Sequence, residues 1–249
     1  MKLQNSIAFV TGASRGIGAA LAIALAESGA DLAISARDVA SLDETRDAIT
    51  SLGRRCLPVA MDVTASESID PGFERIEREL GPVVILVNNA GVNIPRPALE
   101  ATESQWDAIL DTNLKGVFLC SQRAGRTMVE RRSGRIVNIA SAAGLIPALE
   151  RAAYCSSKAG VIMLTRVLAL EWAQFGITVN AIAPTFVETE LAAQTLNRPG
   201  VREYWESTIP LGRIATTDDV VAAMRYLVSP QAGFVTGTVL PVDGGLTMR

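Results

Sequence analysis

Ile7-Ala-Phe-Val-Thr-Gly-Ala-Ser-Arg-Gly-Ile-Gly18 is the stretch of sequence that decides the fold of this chain. Its first four residues predict a buried β-strand, and the apolar run from Ala19 to Ala26 predicts a helix directly after it. Glycines at positions 12, 16 and 18 let backbone N–H groups approach a pyrophosphate at the positive end of that helix. A tight connection without a ligand is the alternative, but the order of strand, glycine turn and helix favours a dinucleotide site.

Strands and helices alternate along the whole sequence. Apolar runs predict strands near 7–11, 32–36, 56–61, 83–88, 135–140, 177–183 and 238–242. Helices are predicted between them, near 17–29, 40–53, 67–80, 103–130, 154–175 and 217–228. This pattern predicts an α/β fold, a Rossmann-type doubly wound parallel sheet of about seven strands with helices on both faces.

No repeat, low-complexity tract or linker divides the chain, so we expect a single dinucleotide-binding domain over residues 1–249. Residues 188–213 are the one irregular stretch, and they follow the sixth predicted strand. Open α/β sheets bind ligands beside the carboxyl ends of their strands, so we interpret this stretch as a substrate lid.

Composition limits the classes of partner and compartment. A net charge of −3 gives no electrostatic reason to expect nucleic acid or an anionic membrane as a partner. No apolar run was found to approach the roughly 20 residues of a membrane span, and no secretory leader is evident. Three cysteines, at positions 56, 120 and 155, suit a reducing compartment. We therefore expect a soluble, cytoplasmic protein.

The chain contains no histidine, which excludes Ser-His hydrolases, His-ligated zinc and histidine proton shuttles. Tyr154 and Lys158 are four residues apart and so share one helix face, where an ammonium could lower the pKa of the phenol. Ser141, at the end of the fifth predicted strand, could hold a carbonyl oxygen against that phenol. A packed ring beside a solvated charge is the common alternative for such a pair. No metal site is expected.

Taken together, the Thr-Gly-x-x-x-Gly-x-Gly turn, Asn88-Asn-Ala-Gly91, Asn113, Ser141 and the Tyr154/Lys158 pair resemble the classical short-chain dehydrogenase/reductase family in order and spacing. The resemblance runs from about Ile7 to Gly245. It implies that Tyr154 is the general acid or base and that Lys158 lowers its pKa and holds the nicotinamide ribose. It also implies that Ser141 orients the substrate oxygen and that Asn113 holds a proton-relaying water.

The resemblance further implies a set of cofactor contacts in the glycine turn, at the ends of the second to fourth strands and after the sixth strand. These residues are Gly12, Ser14, Arg15, Gly16, Ile17, Gly18, Arg37, Asp62, Val63, Asn89, Ala90, Gly91, Tyr154, Lys158, Pro184, Val187 and Thr189. Asn88 and Gly91 are expected at the adenosine ribose, Asn89 as a brace of the sheet and Asp62 at the adenine. Asp62 as a plain helix N-terminal acid is the alternative.

One position departs from the family. Pro184 is usually followed there by glycine, whereas this chain has Thr185, so the placement of Val187 and Thr189 against the nicotinamide carboxamide is less well determined by the resemblance.

Charge after the second strand predicts the choice of cofactor. Ala36 stands where NAD-dependent members of the family carry an acid, and Arg37 stands where NADP-dependent members carry a base. Arg15 could reach the same 2′-phosphate. NADP(H) is therefore favoured, while NAD with Asp38 on the ribose stays open.

We expect an oxidoreductase that moves a hydride between NADP(H) and a ketone or secondary alcohol, of 3-oxoacyl or another small carbonyl type. Ala143, Leu145, Leu149, Ile94 and Phe186 predict a mostly apolar pocket, with Glu150 and Arg151 at its mouth. An NAD-linked polyol or sugar-acid dehydrogenase and a non-catalytic dinucleotide sensor are the alternatives. An acyl carrier protein docking on Arg131, Arg132 and Arg135 is not favoured. The apolar edge strand at 238–242 and the long apolar helices need cover, and together with the family resemblance they imply a homotetramer, with a strand covered inside one subunit as the alternative.

Overall fold

Seven parallel strands form the centre of the protein in a computed structural model that describes residues 3–248. They are β1 (Ile7–Thr11), β2 (Asp31–Ala36), β3 (Cys56–Ala60), β4 (Val83–Asn88), β5 (Gly134–Ile139), β6 (Ile177–Pro184) and β7 (Val239–Val242). Their order across the sheet is β3-β2-β1-β4-β5-β6-β7. The predicted Rossmann-type fold is confirmed. The predicted domain limits of 1–249 include Met1, Lys2 and Arg249, which lie outside the described residues.

Nine α-helices connect and cover these strands within the described residues. They are α1 (Gly16–Glu27), α2 (Asp43–Ser51), α3 (Ser66–Glu79), α4 (Glu103–Leu110), α5 (Gly116–Arg131), α6 (Ala152–Trp172), α7 (Glu190–Leu196), α8 (Val201–Thr208) and α9 (Thr217–Val228). Helices α1, α2 and α9 bury apolar residues against one face of the sheet. Helices α3 and α5 cover the other face, where the Phe9 and Phe73 rings meet edge to face at 5.2 Å.

The strand order reverses between β1 and β4, which places a crevice at the carboxyl ends of these two strands. The glycine turn lies there and is tied to β4. Asn89 Nδ2 donates to the carbonyls of Thr11 and Gly12 at 3.1 and 2.9 Å. A Cβ on Gly18 would stand 2.2 Å from the Gly12 carbonyl oxygen, so that position accepts no side chain.

Asn88 does not line a ribose, and that expectation is wrong. Its side chain is buried and donates through Nδ2 to Ser121 on α5 and to Asn138 on β5, at 2.9 and 2.8 Å. Asn138 in turn donates to Thr165 on α6 at 2.9 Å. Asn88 therefore braces the sheet and its helices, while Asn89 clamps the glycine turn.

Two predicted elements differ in detail. The helix predicted over 103–130 is interrupted by a π-helical turn at Asp111–Lys115, because one turn closes with an extra residue and the apolar pattern continues through it. The stretch 188–213 contains α7 and α8, which are separated at Asn197-Arg-Pro-Gly200, where Pro and Gly end the first helix.

Among the described residues, one helical segment, Ala152–Phe175, is long and apolar enough to cross a membrane by length and composition. Lys158 and Arg166 interrupt this segment, so it is not a continuous apolar run of membrane-spanning length. Core helices of soluble proteins pass the same test. This one packs against β6 and carries Tyr154 and Lys158, and 44% of the tested window is buried in the protein.

Candidate active site

Helix α6 brings Tyr154 and Lys158 to the carboxyl edge of the sheet. Ser141 follows β5 at the same edge and begins the short 3₁₀ turn Ala142–Gly144, with its Oγ accepting the Ala143 N–H at 3.1 Å. A Cβ on Gly144 would lie 2.8 Å from the Lys158 backbone carbonyl carbon, so glycine lets this turn rest directly on α6. The predicted serine, tyrosine and lysine therefore lie on adjoining segments.

Lys158 is buried, with 5% of its surface exposed. Its Nζ donates to the backbone carbonyl of Ile139 at 2.7 Å and forms no ion pair within residues 3–248. Burial lowers the pKa of Lys158 from 10.5 to about 8. An ammonium has three donors, so this one retains capacity for an outside acceptor.

The nicotinamide ribose fits that position. A Cβ on Gly91 would stand 3.7 Å from Lys158 Nζ and 3.3 Å from Asn113 Oδ1, so the glycine keeps space open beside the lysine. Ribose hydroxyls are acceptors for an ammonium and carry no charge that would need burial. A ribose hydroxyl would accept a hydrogen bond from a Lys158 Nζ donor that has no partner among the described residues.

Tyr154 has a raised pKa, because burial disfavours the phenolate. A hydrogen bond with Ser141 and the positive charge of Arg151 offset this in part. The expected lowering by Lys158 is not found: its Nζ lies 5.8 Å from the centre of the Tyr154 ring, held on the Ile139 carbonyl. In this structure the phenol is therefore protonated at neutral pH, the form that can donate a proton to a carbonyl oxygen.

Asn113 lies in the π-helical turn and is fully buried. Its side chain accepts the Val92 N–H at 2.8 Å and donates to the Val92 carbonyl at 2.9 Å and to Ser157 Oγ at 3.2 Å. Ser157 donates onward to the Tyr154 carbonyl at 2.8 Å. Because these bonds engage the Asn113 side chain, a water held by Asn113 would have to bind the backbone carbonyl of that residue. The proton-relay role of Asn113 stays a prediction.

Ser157 is a site residue that the sequence reasoning missed. It links the turn that carries Asn113 to the first turn of the helix that carries Tyr154. Position alone could have indicated it, since residue 157 is three after Tyr154 on the same helix face, whereas Ser156 is exposed.

Other predicted cofactor residues belong to the glycine turn before α1 and to the segment after β6. A Cβ on Gly16 would lie 3.4 Å from the Thr189 methyl group, so these two segments meet. Thr189 Oγ1 accepts the Ala192 N–H at 3.2 Å, which caps α7. Val187 is buried and bridges to Ala215, and Val63 packs against Gly116 at the start of α5.

Thr185 replaces the family glycine without strain. Its N–H donates to the Val242 carbonyl at 3.2 Å, and it is not among the residues with positive φ. Because the backbone there does not enter the left-handed region, glycine is not needed to place Val187 and Thr189.

Two exposed arginines, Arg15 in the glycine turn and Arg37 directly after β2, form no ion pair with any described residue. Asp38 accepts the Ala40 N–H at 3.0 Å and so caps the turn that follows. Asp62 accepts two hydrogen bonds from Thr64. Burial acts to raise the pKa of Asp62, but these bonds and the charge of Arg37 bring it below its usual value.

An open cleft of ≈ 350 Å³ lies beside the lid. It is lined by Glu188, Thr189, Glu190, Ala193, Leu196 and Arg202. Phe186 packs on Trp205 of α8 with ring centres 4.5 Å apart. Of the predicted pocket residues, Leu149 is 93% exposed and does not enclose a pocket here. Within residues 3–248, no group of three or more Cys, Asp or Glu side chains could hold a metal ion.

The arginines considered for an acyl carrier partner lie at the edge of the sheet opposite to the one that carries Ser141 and Tyr154. Arg135 is the second residue of β5, at the amino end of a strand whose carboxyl end leads to Ser141. Arg132 donates to the Gln174 carbonyl at 2.8 Å. A strand of six residues spans about 20 Å, so these groups are remote from Tyr154.

Comparisons with known proteins agree with this geometry. The family model described as enoyl-(acyl carrier protein) reductase matches residues 12–247. The 3-oxoacyl-[acyl-carrier-protein] reductase of Vibrio cholerae is 38% identical over 248 residues and covers 100% of both chains. Galactitol 2-dehydrogenase (L-tagatose-forming) of Cereibacter sphaeroides is 40% identical over 250 residues, covering 99% of this chain and 97% of the relative.

A solved structure of a gluconate 5-dehydrogenase from Burkholderia cenocepacia J2315, in complex with NADP and tartrate, superposes with a TM-score of 0.95 at 33% identity. The match covers 100% of this chain and 97% of that one. Likeness of this extent involves the whole fold of the chain.

Proposed function

This chain belongs to the classical short-chain dehydrogenase/reductase family, and we propose that it is a member that prefers NADP(H) and uses Tyr154 to move a proton to or from a substrate oxygen. The family makes it an NAD(P)-dependent oxidoreductase acting on CH–OH and C=O groups of small substrates. The observation that carries the proposal is the buried, ion-pair-free Lys158 one turn after Tyr154.

The proton chemistry rests on three side chains. Tyr154 is protonated at neutral pH and stands ready to donate its proton to a carbonyl oxygen. Ser141 lies at the same edge of the sheet, acts to lower the pKa of the phenol, and would hold the substrate oxygen in place. Lys158 would bind ribose hydroxyls through its unused donors while Ile139 keeps it beside the ring. When bound, the nicotinamide supplies or accepts the hydride.

The crevice supports binding of the rest of the dinucleotide. The glycine turn at 12–18 would receive the pyrophosphate on the N-terminal end of α1. Ala90, Gly91 and Asn113 would flank the nicotinamide ribose, and Val187 and Thr189 would meet the carboxamide. Asp62 and Val63 would flank the adenine.

The unpaired Arg15 and Arg37 support NADP(H) over NAD(H). Guanidinium groups bind phosphate with charge-assisted, often bidentate hydrogen bonds. Asp38, the alternative partner for the free ribose hydroxyl of NAD, already caps the turn after β2. The Burkholderia cenocepacia relative was solved with NADP.

We infer a ketone and secondary alcohol as the reacting pair, which the 3-oxoacyl and sugar-alcohol relatives share. Arginines remote from the site offer no support for a carrier protein as partner. The assembled Asn113, Ser141, Tyr154 and Lys158 argue against a non-catalytic sensor, which has no need of a proton relay. Three free cysteines support a cytoplasmic location.

Replacing Tyr154 by Phe should lower kcat at least ~10²-fold, because it removes the proton donor and little else. Fluorescence titration should show NADPH still binding. Tyr226→Phe, on the exposed face of α9, is the matched control and should keep wild-type turnover. Lys158→Ala should lower turnover and also weaken NADPH binding. Near-normal turnover of Tyr154→Phe would refute the assignment.

The wild type should bind NADPH more tightly than NADH, and Ala36→Asp with Arg37→Ile should reverse that order. One charge-assisted bond is lost and a repelling carboxylate is gained, so the preference should move by about two decades. Dissociation constants at one moderate salt concentration measure it, because salt screens exposed phosphate contacts. Arg78→Ile controls for loss of an exposed arginine. A wild type that prefers NADH would contradict the proposed role of Arg37 and would assign the ribose contact to Asp38.

We also propose a homotetramer with two-fold symmetry. Met163, Val167 and Leu170 lie on one face of α6 and are 56%, 42% and 83% exposed, and β7 is an edge strand. Sedimentation at micromolar concentration should give four times the chain mass of 26.4 kDa. Leu170→Glu should yield smaller species, whereas Leu52→Glu on α2 should not. A wild-type monomer would contradict the assembly.

A further inference from the structure

Arg151 is the residue that immediately precedes α6, and its backbone is fixed on both sides. The carbonyl of the preceding Glu150 accepts the Arg96 N–H at 2.9 Å. The carbonyl of Arg151 itself accepts the Cys155 N–H at 2.7 Å. Glu150 holds a left-handed conformation, with φ of 59°, which is uncommon for a residue with a side chain. This backbone places Arg151 three residues before Tyr154, one helical turn from the phenol.

The Arg151 side chain is half-buried, yet it forms no hydrogen bond or ion pair within residues 3–248. The other half-buried arginines of the described chain all have a partner. These pairs are Arg46 with Asp43, Arg54 with Asp31, Arg75 with Glu79, Arg123 with Glu77, Arg135 with Thr178, Arg202 with Glu188 and Arg225 with Glu27. Arg151 is thus the half-buried arginine of the described chain whose guanidinium is left available to an outside anion.

That partner would lie beside the reacting atoms. The charge of Arg151 reaches the Tyr154 phenol closely enough to lower its pKa in part, although burial dominates. The first turn of α6 contains no acidic residue that could compete for Arg151. The other nearby cation, Lys158, is turned to the Ile139 carbonyl and to the expected ribose. An anion on Arg151 would thus be part of the substrate, a short distance from the oxygen that Tyr154 serves.

The chemistry of Arg151 and its place beside Tyr154 together favour a substrate with a carboxylate near its reacting carbon. A guanidinium presents a planar fork that binds an oxyanion such as a carboxylate with two parallel hydrogen bonds. The charge of Arg151 acts on the Tyr154 phenol, so an anion bound to Arg151 would lie close to the carbonyl that Tyr154 serves.

We propose that Arg151 is a specificity-determining residue that binds the carboxylate of an oxo acid or hydroxy acid whose reacting carbon lies within about three atoms of that carboxylate. The proposal rests on the oxidoreductase function above and names its substrate class. Uncharged carbonyl compounds are then poorer substrates than small oxo acids.

Oxidation of NADPH with pyruvate, acetoacetate and levulinate, each compared with its methyl ester, tests this directly. The three acids place the carboxylate at increasing distance from the same ketone, and each ester removes only the charge. The wild type should have a higher kcat/KM for at least one acid than for its ester. Arg151→Gln should reduce that acid-to-ester ratio by roughly 10- to 100-fold, as loss of a charged hydrogen bond implies, mainly through KM. Arg151→Lys should retain part of the ratio.

Arg131→Gln is the matched control, because it removes the same charge from an exposed residue at the far edge of the sheet and should leave the ratio unchanged. An equal loss for acids and esters in Arg151→Gln would mean that Arg151 only supports the helix, and it would overturn the proposal. A wild type that reduces the esters as well as the acids would overturn it too, while leaving the proposed function intact. A wild type that binds NADPH but reduces neither set nor diacetyl would contradict the proposed function itself.

Discussion

The bond from Lys158 Nζ to the Ile139 carbonyl is the interaction on which the rest of the site depends. It holds a buried amine at the carboxyl edge of the sheet with no carboxylate beside it among the described residues. A charge in that position is tolerated only if its surroundings are rigid and a further acceptor can reach it. The rigidity comes from α6, which is hydrogen-bonded to its neighbours at two positions. Asn138 on β5 donates to Thr165 of α6, and Asn113 in the π-helical turn donates to Ser157 of α6.

Burial separates the two titrating groups in a consistent direction. The pKa of Lys158 falls to about 8 and the pKa of Tyr154 rises, so at neutral pH the phenol is neutral while the amine is still largely protonated. A phenolate is therefore not the preferred form of Tyr154 in this structure. Tyr154 is a proton donor as it stands, and the Lys158 ammonium keeps the donors that Ile139 leaves unused for an outside acceptor. Two titratable groups can take separate acid and base roles when their environments shift their pKa values apart in this way.

Much of the fold was predictable because its signals are local. Continuous apolar runs such as Val83–Val87 predict buried strands, and the glycine turn and the Tyr154/Lys158 spacing each predict a position on a known element. The π-helical turn at Asp111–Lys115 was not predictable, since the apolar pattern does not change where the turn adds a residue. The position of the Asn88 side chain was predicted wrongly because a strand's side chains alternate between faces, and which face meets α5 depends on packing. The missing partner of Arg151 is visible only once all half-buried arginines are compared in three dimensions.

The most direct test of this account is the titration of the lysine side chains by NMR in protein prepared without cofactor. The chain has only three lysines, so labelled side-chain amines can be resolved, and a Lys158→Arg variant identifies the signal of interest. The account predicts that the signal missing from Lys158→Arg titrates near pH 8. Titration of that signal near the ordinary lysine value of 10.5 would contradict it, because the Lys158 amine would then be solvated and not buried beside the expected ribose.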